Sequence, residues 1–239
     1  IKGVESYMIS EKIRKIRELN GKATDEQLVE VLSSRPRVEK VVLKDIKLRT
    51  FITDDSSRDD LVAHVYDITQ GTIKPGVDTF VCIDDSIVRG TTLKKSILGI
   101  LSRLKPKKIV IVSSAPQIRY PDCYGIDMSQ IGRFVAFEAA IALLNDRGMH
   151  GIIHQVYREC LAMKQNGLLE TRNAVKAIYE AFTEDEISRK TSDLLKPEGI
   201  TCKVEIVFQP LSNLPKAIPN HRGDWYFSGN YPTPGGNKV

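Results

Sequence analysis

An α/β fold built on a parallel sheet follows from three stretches in the middle of the chain. Thr79-Phe-Val-Cys-Ile83 is a short apolar run bounded by Pro75-Gly76 before it and Asp84-Asp85 after it. Leu93, Ile97, Ile100, Leu101 and Leu104 then recur at helical spacing. Lys108-Ile-Val-Ile-Val-Ser113 is a second apolar run, read as a fully buried strand. Strand, loop, helix and strand in so short a stretch make a βαβ unit, with parallel strands and a right-handed crossover.

The flanking elements follow from period and punctuation. Tyr7 to Leu19 has an amphipathic helical period ending at Asn20-Gly21, a C-cap pair. Thr24-Asp-Glu-Gln27 is a capping box that opens a second helix through Leu32, stopped by Arg35-Pro36. Val38 to Leu43 and Leu48 to Ile52 read as strands, and the polar Thr53–Asp60 stretch as a loop. Lys105-Pro106 closes the central helix. Ile131 to Leu144 and Ile152 to Met163 read as helices. Thr183-Glu-Asp-Glu186 is another capping box, opening a helix towards Leu195 that Lys196-Pro197 ends. Cys202 to Phe208 alternates as a half-buried strand does, with Val207 as the exception, and the Pro- and Gly-rich stretch from Pro210 reads as a tail or wrapping loop.

Composition narrows the class of function. The chain has 239 residues, 41% of them hydrophobic and 27% charged, and a formal net charge of +5, ordinary values for a soluble globular protein. No apolar run is long enough to span a membrane. Residues 1–50 hold twelve Lys or Arg against eight Asp or Glu. Lys12, Arg14, Lys15 and Arg17 share a helix with Ile9, Ile13 and Ile16, which makes them a solvated face, and no aromatic residues interleave with them as a nucleic-acid platform requires. Neither nucleic acid nor membrane is expected as a partner. Cys82, Cys123, Cys160 and Cys202 stand 41, 37 and 42 residues apart. That spacing lacks the close pairs of a zinc or iron–sulfur framework, so reduced cysteines in a cytoplasmic protein are expected.

The informative chemistry lies beyond the first central strand, at the carboxyl ends of the strands where open α/β sheets bind ligands. Asp84-Asp85 is followed by Ser86-Ile87-Val88-Arg89-Gly90-Thr91-Thr92 leading into a helix. A helix N-terminus offers free N–H groups to an anion, Gly90 permits close backbone approach, and Ser86, Thr91 and Thr92 add hydroxyl donors. Two carboxylates beside such a cradle suit sugar hydroxyls or Mg²⁺ held through its waters. Diol, phosphate and magnesium together describe a phosphorylated ribose. The competing reading makes Asp84 or Asp85 a helix N-cap and Gly90 a plain turn residue. The string is neither a Walker loop nor a dinucleotide turn.

The thirteen residues Phe80–Thr92 resemble the phosphoribosyl pyrophosphate (PRPP) loop of type I phosphoribosyltransferases, and the form Asp-Asp-Ser-Ile-Val-Arg-Gly-Thr-Thr resembles that of the amidophosphoribosyltransferase family. Arg49-Thr-Phe-Ile52, Ser113-Ser-Ala-Pro-Gln-Ile-Arg-Tyr-Pro121 and Tyr124-Gly-Ile-Asp-Met128 agree with that family in the same order. The resemblance implies a type I phosphoribosyltransferase-like parallel sheet flanked by helices. It also implies a Mg²⁺-dependent transfer of glutamine-derived ammonia onto C1 of PRPP, with loss of pyrophosphate, as in purine biosynthesis. By the same analogy Asp84 and Asp85 contact the ribose hydroxyls and the metal, Ser86–Thr92 hold the 5-phosphate, and Arg49 assists the leaving group. Arg49 equally suits a solvated strand end, and Arg119 a structural ion pair. A homo-oligomer with purine nucleotide effectors is the expected assembly.

The chain also departs from the family pattern. Against that pattern the chain is expected to lack the N-terminal glutaminase domain with its leading cysteine and the first half of the transferase domain, and so to have a sheet incomplete at its N-terminal side. Residues 1–150 read as a partial transferase domain and 151–239 as a helical and irregular C-terminal extension. The lid Thr53–Asp60 has four acids against Arg58 alone, where the family has a basic, hydroxyl-rich segment, and residues 20–37 look inserted. The chain by itself is therefore expected to be inactive, as part of a longer, divergent relative. A non-catalytic PRPP or nucleotide sensor is the alternative from another class, and a base-salvage phosphoribosyltransferase is the enzymatic one.

Overall fold

The computed structural model describes residues 2–38, 42–44, 66–68, 73–122, 128–220 and 223–238. The expected strand Leu48–Ile52, Arg49 itself, the lid Thr53–Asp60 and nearly all of the Tyr124–Met128 motif lie outside the described residues. The chain forms two units, Ile1–Leu43 and Lys44–Val239.

The first unit is a helical hairpin. Helix α1 (Lys2–Glu18) begins earlier than its apolar period suggests, and ends where Asn20 and Gly21 both turn left-handed, with φ of 47° and 71°. Helix α2 (Asp25–Ser33) carries the expected capping box: the Thr24 hydroxyl accepts from the Gln27 N–H, and the Gln27 side chain accepts from the Thr24 N–H. The basic face of α1 is a surface feature, with Arg14 2.6 Å from both Glu11 and Glu18. Val4, Ile9 and Ile13 on α1, and Val29 and Leu32 on α2, remain exposed. Two three-residue strands follow, β1 (Val42–Lys44) and β2 (Tyr66–Ile68), the first overlapping the strand expected over Val38–Leu43 at Val42 and Leu43.

The second unit is built on a parallel sheet in the order β3 (Thr79–Asp84), β4 (Lys108–Ser113), β5 (Lys203–Phe208). Thr79 lies opposite Lys108 and Asp84 opposite Ser113, while Lys108 lies opposite Lys203. Between β3 and β4 the chain makes a π-helical turn, Leu93–Ile97, that runs on into α3 (Leu98–Ser102). Lys105, left-handed with φ 53°, closes that helix before Pro106. One face of the sheet is covered: Ile109, Ile111 and Ser113 of β4 and Val204, Ile206 and Phe208 of β5 are buried. On the other face Val81 and Ile83 are 63% and 65% exposed, and Val207 is 40% exposed. Strand β4 is thus buried on one face and half-buried on the other, not buried on both, because among the described residues helices cover one side of the sheet it occupies.

Helix α4 (Val135–Asp146) is the centre of the core. Ala136, Ala139, Ala140 and Leu144 are all at most 1% exposed, and Tyr120, Val156, Ile178, Phe182 and Ile187 pack with them. The helix expected from Ile131 is interrupted: Ile131–Arg133 form a single 3₁₀ turn, Phe134 is extended, and α4 starts at Val135. Helices α5 (His150–Gln165), α6 (Lys176–Glu180) and α7 (Glu184–Leu195) complete the layer. Helix α7 packs on α4 and on β5, where the Ser192 hydroxyl accepts the Ile206 N–H at 2.9 Å and so satisfies one donor on the edge of the sheet. Strand β5, from beyond residue 150, therefore shares its sheet with β3 and β4. After Pro210 come α8 (Leu214–Ala217) and α9 (Trp225–Ser228), and the segment wraps the body. The N–H groups of Arg119 and Tyr120 both donate to the Tyr226 carbonyl, and Asn237 donates to the Glu170 carbonyl. Cys82, Cys160 and Cys202 are free thiols.

The second capping box forms as the pattern requires. The Thr183 hydroxyl accepts from the Glu186 N–H, and the Glu186 carboxylate accepts from the Thr183 N–H at 2.8 Å. Glu186 also pairs with Arg147. The Thr183 N–H, and after it the Arg147 guanidinium, hold the Glu186 carboxyl at about 2, below the ordinary 4.5. A carboxyl depressed in the folded state adds stability that is complete above its unfolded pKa and is lost as pH falls through the folded one. Urea unfolding of the wild type should therefore lose an increment between about pH 4.5 and pH 2 that Glu186→Gln lacks, and Thr183→Ala should cost about 1 kcal/mol at pH 7. Identical pH profiles for the wild type and Glu186→Gln would remove the carboxylate from this account.

Candidate functional site

The parallel register brings the ends of β3 and β4 together at one edge. The Asp84 carbonyl accepts from both the N–H and the hydroxyl of Ser114, at 2.9 and 2.7 Å, and the Asp85 carbonyl accepts from the Ala115 N–H at 3.0 Å. Ser114 and Ala115 belong to the Ser113–Pro121 motif, but nothing in the sequence assigned them a role at the acid pair. The signal that would have found them is the βαβ pattern itself, which sets the second strand's end beside the first. These bonds hold the backbone of the acid pair and engage neither carboxylate.

Both carboxylates turn back onto the chain. One oxygen of Asp84 accepts from the Asp85 N–H at 3.0 Å, and one oxygen of Asp85 accepts from the Ser86 N–H at 2.8 Å. The helix begins only at Thr91, so neither acid is its N-cap, and the capping alternative does not describe this loop. Asp84 is half-buried on the inner side of β3 and Asp85 is exposed. Burial raises the Asp84 carboxyl above its ordinary value; the Asp85 N–H lowers it, and the Asp85 side chain raises it further. Each acid retains a second oxygen. Two hard oxygen donors with room for water and substrate oxygens suit Mg²⁺, which takes one or two protein carboxylates and keeps much of its hydration. Among the described residues no cluster of three or more His, Cys, Asp or Glu side chains adds to them.

The loop that follows is anchored at several points. Ile87 is 3% exposed, so its side chain anchors the loop in the core and leaves only its backbone to face a ligand. The Val88 carbonyl accepts the N–H of Val135 at 2.9 Å, which joins the loop to the first turn of α4. The Gly90 carbonyl accepts the Lys94 N–H at 2.8 Å. Ser86, Val88, Arg89 and Gly90 are half-buried, while Thr91 and Thr92 are exposed, their hydroxyls free to face solvent. Gly90 has φ of 69°, and a Cβ there would stand 2.6 and 2.7 Å from the two methyls of Leu195. Its glycine is thus required by backbone conformation and by a neighbouring helix, a demand the sequence did not reveal.

The Ser113–Pro121 motif proves to be architecture. Gln117, 4% exposed, donates to the Glu184 carbonyl and to the Ser188 hydroxyl, and accepts from Arg119 at 3.1 and 2.7 Å. Arg119 lies over the Tyr179 ring at 5.3 Å, and the Tyr179 hydroxyl donates to the Arg119 carbonyl. Among the described residues Arg119 is held by an amide and a ring, in place of the ion pair that was its structural alternative. Burial pushes the Tyr120 phenol up to about 12 and holds that of Tyr179 well above its ordinary value, so both stay neutral. A cavity of about 170 Å³ lies between α5 and the C-terminal segment, lined by Tyr120, Cys160, Met163, Arg172 and Tyr231 among others, and includes no residue of Asp84–Thr92.

No family model matches the chain. By sequence it is similar to amidophosphoribosyltransferases: 34% identical over 88 residues to that of Haemophilus influenzae, covering 37% of this chain and 17% of the relative. To that of Pasteurella multocida it is 47% identical over 55 residues, covering 23% and 11%. To that of Saccharomyces cerevisiae it is 42% identical over 133 residues, covering 52% and 26%. The chain thus spans about a tenth to a quarter of the length of these relatives. Among solved structures, the glutamine PRPP amidotransferase of Bacillus subtilis, complexed with ADP and GMP, aligns with TM-score 0.44 and 21% identity, over 82% of this chain and 32% of that one.

Two glycines separate conformational demand from helix propensity. Gly90→Ala should lower the unfolding free energy by about 1–3 kcal/mol, from left-handed strain and the contact with Leu195. Gly99→Ala, in a helix with nothing within 4 Å of the added Cβ, should raise it by about 0.5–1 kcal/mol. Chemical denaturation of both variants measures the contrast; equal effects would mean that Gly90 is not constrained.

Proposed function

We propose that the amidophosphoribosyltransferase-like segment of this chain binds PRPP with Mg²⁺ at Asp84–Thr92, as part of an enzyme that makes 5-phosphoribosylamine from PRPP and glutamine-derived ammonia in purine biosynthesis. The observation that carries this is the pair Asp84-Asp85 at a parallel strand end, neither acid capping the helix, followed by a loop leading to a helix N-terminus. The similarity to amidophosphoribosyltransferases over the matched residues supports it.

In this reading Asp84 and Asp85 accept hydrogen bonds from the ribose hydroxyls. The backbone N–H groups and hydroxyls of the Ser86–Thr92 loop, at the positive end of the helix dipole, hold the 5-phosphate. Asp84 and Asp85 would also be the residues to hold Mg²⁺, which when bound would supply positive charge against the departing pyrophosphate. The protein's own work is then orientation and electrostatics: it holds C1 in line with its incoming nucleophile and stabilises positive charge developing on the ribose ring. Ammonia arrives as a nucleophile, so no general base is required to generate one. Arg49 would assist the leaving group. A cytoplasmic homo-oligomer with a glutaminase domain and purine nucleotide effectors belongs to the same reading.

One feature favours a second reading, a PRPP sensor without turnover: the segment Thr53–Asp60 has net charge −3 where pyrophosphate must be met. Calorimetric titration with PRPP and Mg²⁺, beside an assay for pyrophosphate release from the full-length protein, distinguishes the two. Binding should be lost in the double variant Asp84→Asn with Asp85→Asn; unchanged affinity would sink the site, and binding without product would favour the sensor.

A further inference from the structure

We propose that the C-terminal end of α7, through Leu195 and the contact of Lys94 with Leu194, positions the Asp84–Thr92 loop for phosphate. This rests on the ribose-phosphate reading given above. A backbone phosphate cradle binds well only if its N–H groups already converge, because ordering a loop at the moment of binding subtracts from affinity. Something must therefore hold Gly90 and the first turn of its helix in place.

The chain supplies that hold from a remote segment. Lys94 makes two contacts that join the loop to α7: its backbone N–H donates to the Gly90 carbonyl at 2.8 Å, and its ammonium donates to the Leu194 carbonyl at 2.8 Å, 100 residues away in sequence. That carbonyl is among the last of α7, where the carbonyls lack helical partners and the dipole favours a cation. Beside it the Leu195 side chain, 4% exposed, closes on Gly90, so that an added Cβ would stand 2.6 Å from a Leu195 methyl and force it to shift. Lys196-Pro197 stops α7 directly after these two residues, so the helix end cannot slide along the loop. The capping box at Thr183 and the packing of α7 on α4 and β5 fix the other dimensions. Leu195 is accordingly a positioning residue: it touches Gly90 and not the ligand. The Lys94 ammonium, which a sequence pattern would offer to the phosphate, is engaged with α7.

The test uses the full chain, isotope-labelled, with Leu195→Ala, Leu195→Met, Lys94→Met and, as a control, Leu144→Ala, which is equally buried but belongs to the α4 core. Amide shifts of Gly90, Thr91 and Thr92 are recorded before ligand, and affinities for ribose 5-phosphate with Mg²⁺ and for inorganic phosphate are measured by calorimetry. Leu195→Ala and Lys94→Met should displace those amide signals and weaken ribose 5-phosphate binding about tenfold. Leu195→Met should restore both, and Leu144→Ala should lower stability while leaving both readouts in place. Should Leu195→Ala fail to fold, Lys94→Met, a surface change, decides the question alone. Unmoved amides and unchanged affinity in Lys94→Met and in any folded Leu195→Ala would overturn the positioning role and leave the phosphate site standing. Absence of ribose 5-phosphate binding in the wild type would instead overturn the site, and the positioning role with it.

Discussion

The register of β3 against β4 is the constraint on which the rest depends. It is pinned at both ends: the Gly76 N–H donates to the Lys105 carbonyl and the Lys107 N–H to the Asp78 carbonyl before the strands, and the Ser114 N–H donates to the Asp84 carbonyl after them. A slip of one residue would move every side chain to the opposite face. Phe80 and Cys82 would leave the covered side for Val81 and Ile83, and Asp84 would no longer stand where the strand turns into the loop. The candidate site exists because an apolar run, paired with a parallel partner in one register, delivers two acids to one edge.

What carries the loop beyond that edge is the hydrophobic core. Ile87 enters it, Val88 is tied to the start of α4, and Gly90 is covered by Leu195. Helix α4 can serve as a hub because Ala136, Ala139 and Ala140 leave its surface low, so that α7 approaches it closely while still reaching β5. The polar residues of the site make few contacts of their own. Their placement is inherited from apolar packing, which is dense and does not deform continuously.

The Ser113–Pro121 stretch shows how a motif can be structural. Gln117 joins α7, Arg119 and the strand end in a buried network whose donors and acceptors are matched, and such a network is rigid because leaving any member unpaired is costly. The same stretch receives the C-terminal segment through the Tyr226 carbonyl. A residue string that resembles a functional one is here also the joint between the sheet, α7 and the wrapping tail. The sheet's other face is different: Val81 and Ile83 lie exposed on it, so the apolar pattern of β3 exceeds what the described elements cover.

Much of the fold was legible from local rules. The capping boxes at Thr24 and Thr183, the Asn20-Gly21 stop, the βαβ unit and the position of Asp84-Asp85 at a strand end follow from short-range chemistry, in which each signal and its consequence lie within a few residues. The proposed ligand class rests on the sequence as well, on acids, hydroxyls and glycine gathered at one strand–helix junction. Tertiary structure alone decided the one-sided burial of β4, the interruption of the helix at Phe134, the structural role of Arg119, and the coupling of Gly90 to Leu195. Each of these depends on residues far apart in the chain meeting in space. Arg49 and the acidic lid, outside the described residues, belong to neither account. No periodicity reports such meetings, because burial and close contact are properties of the packed core and not of any segment taken alone.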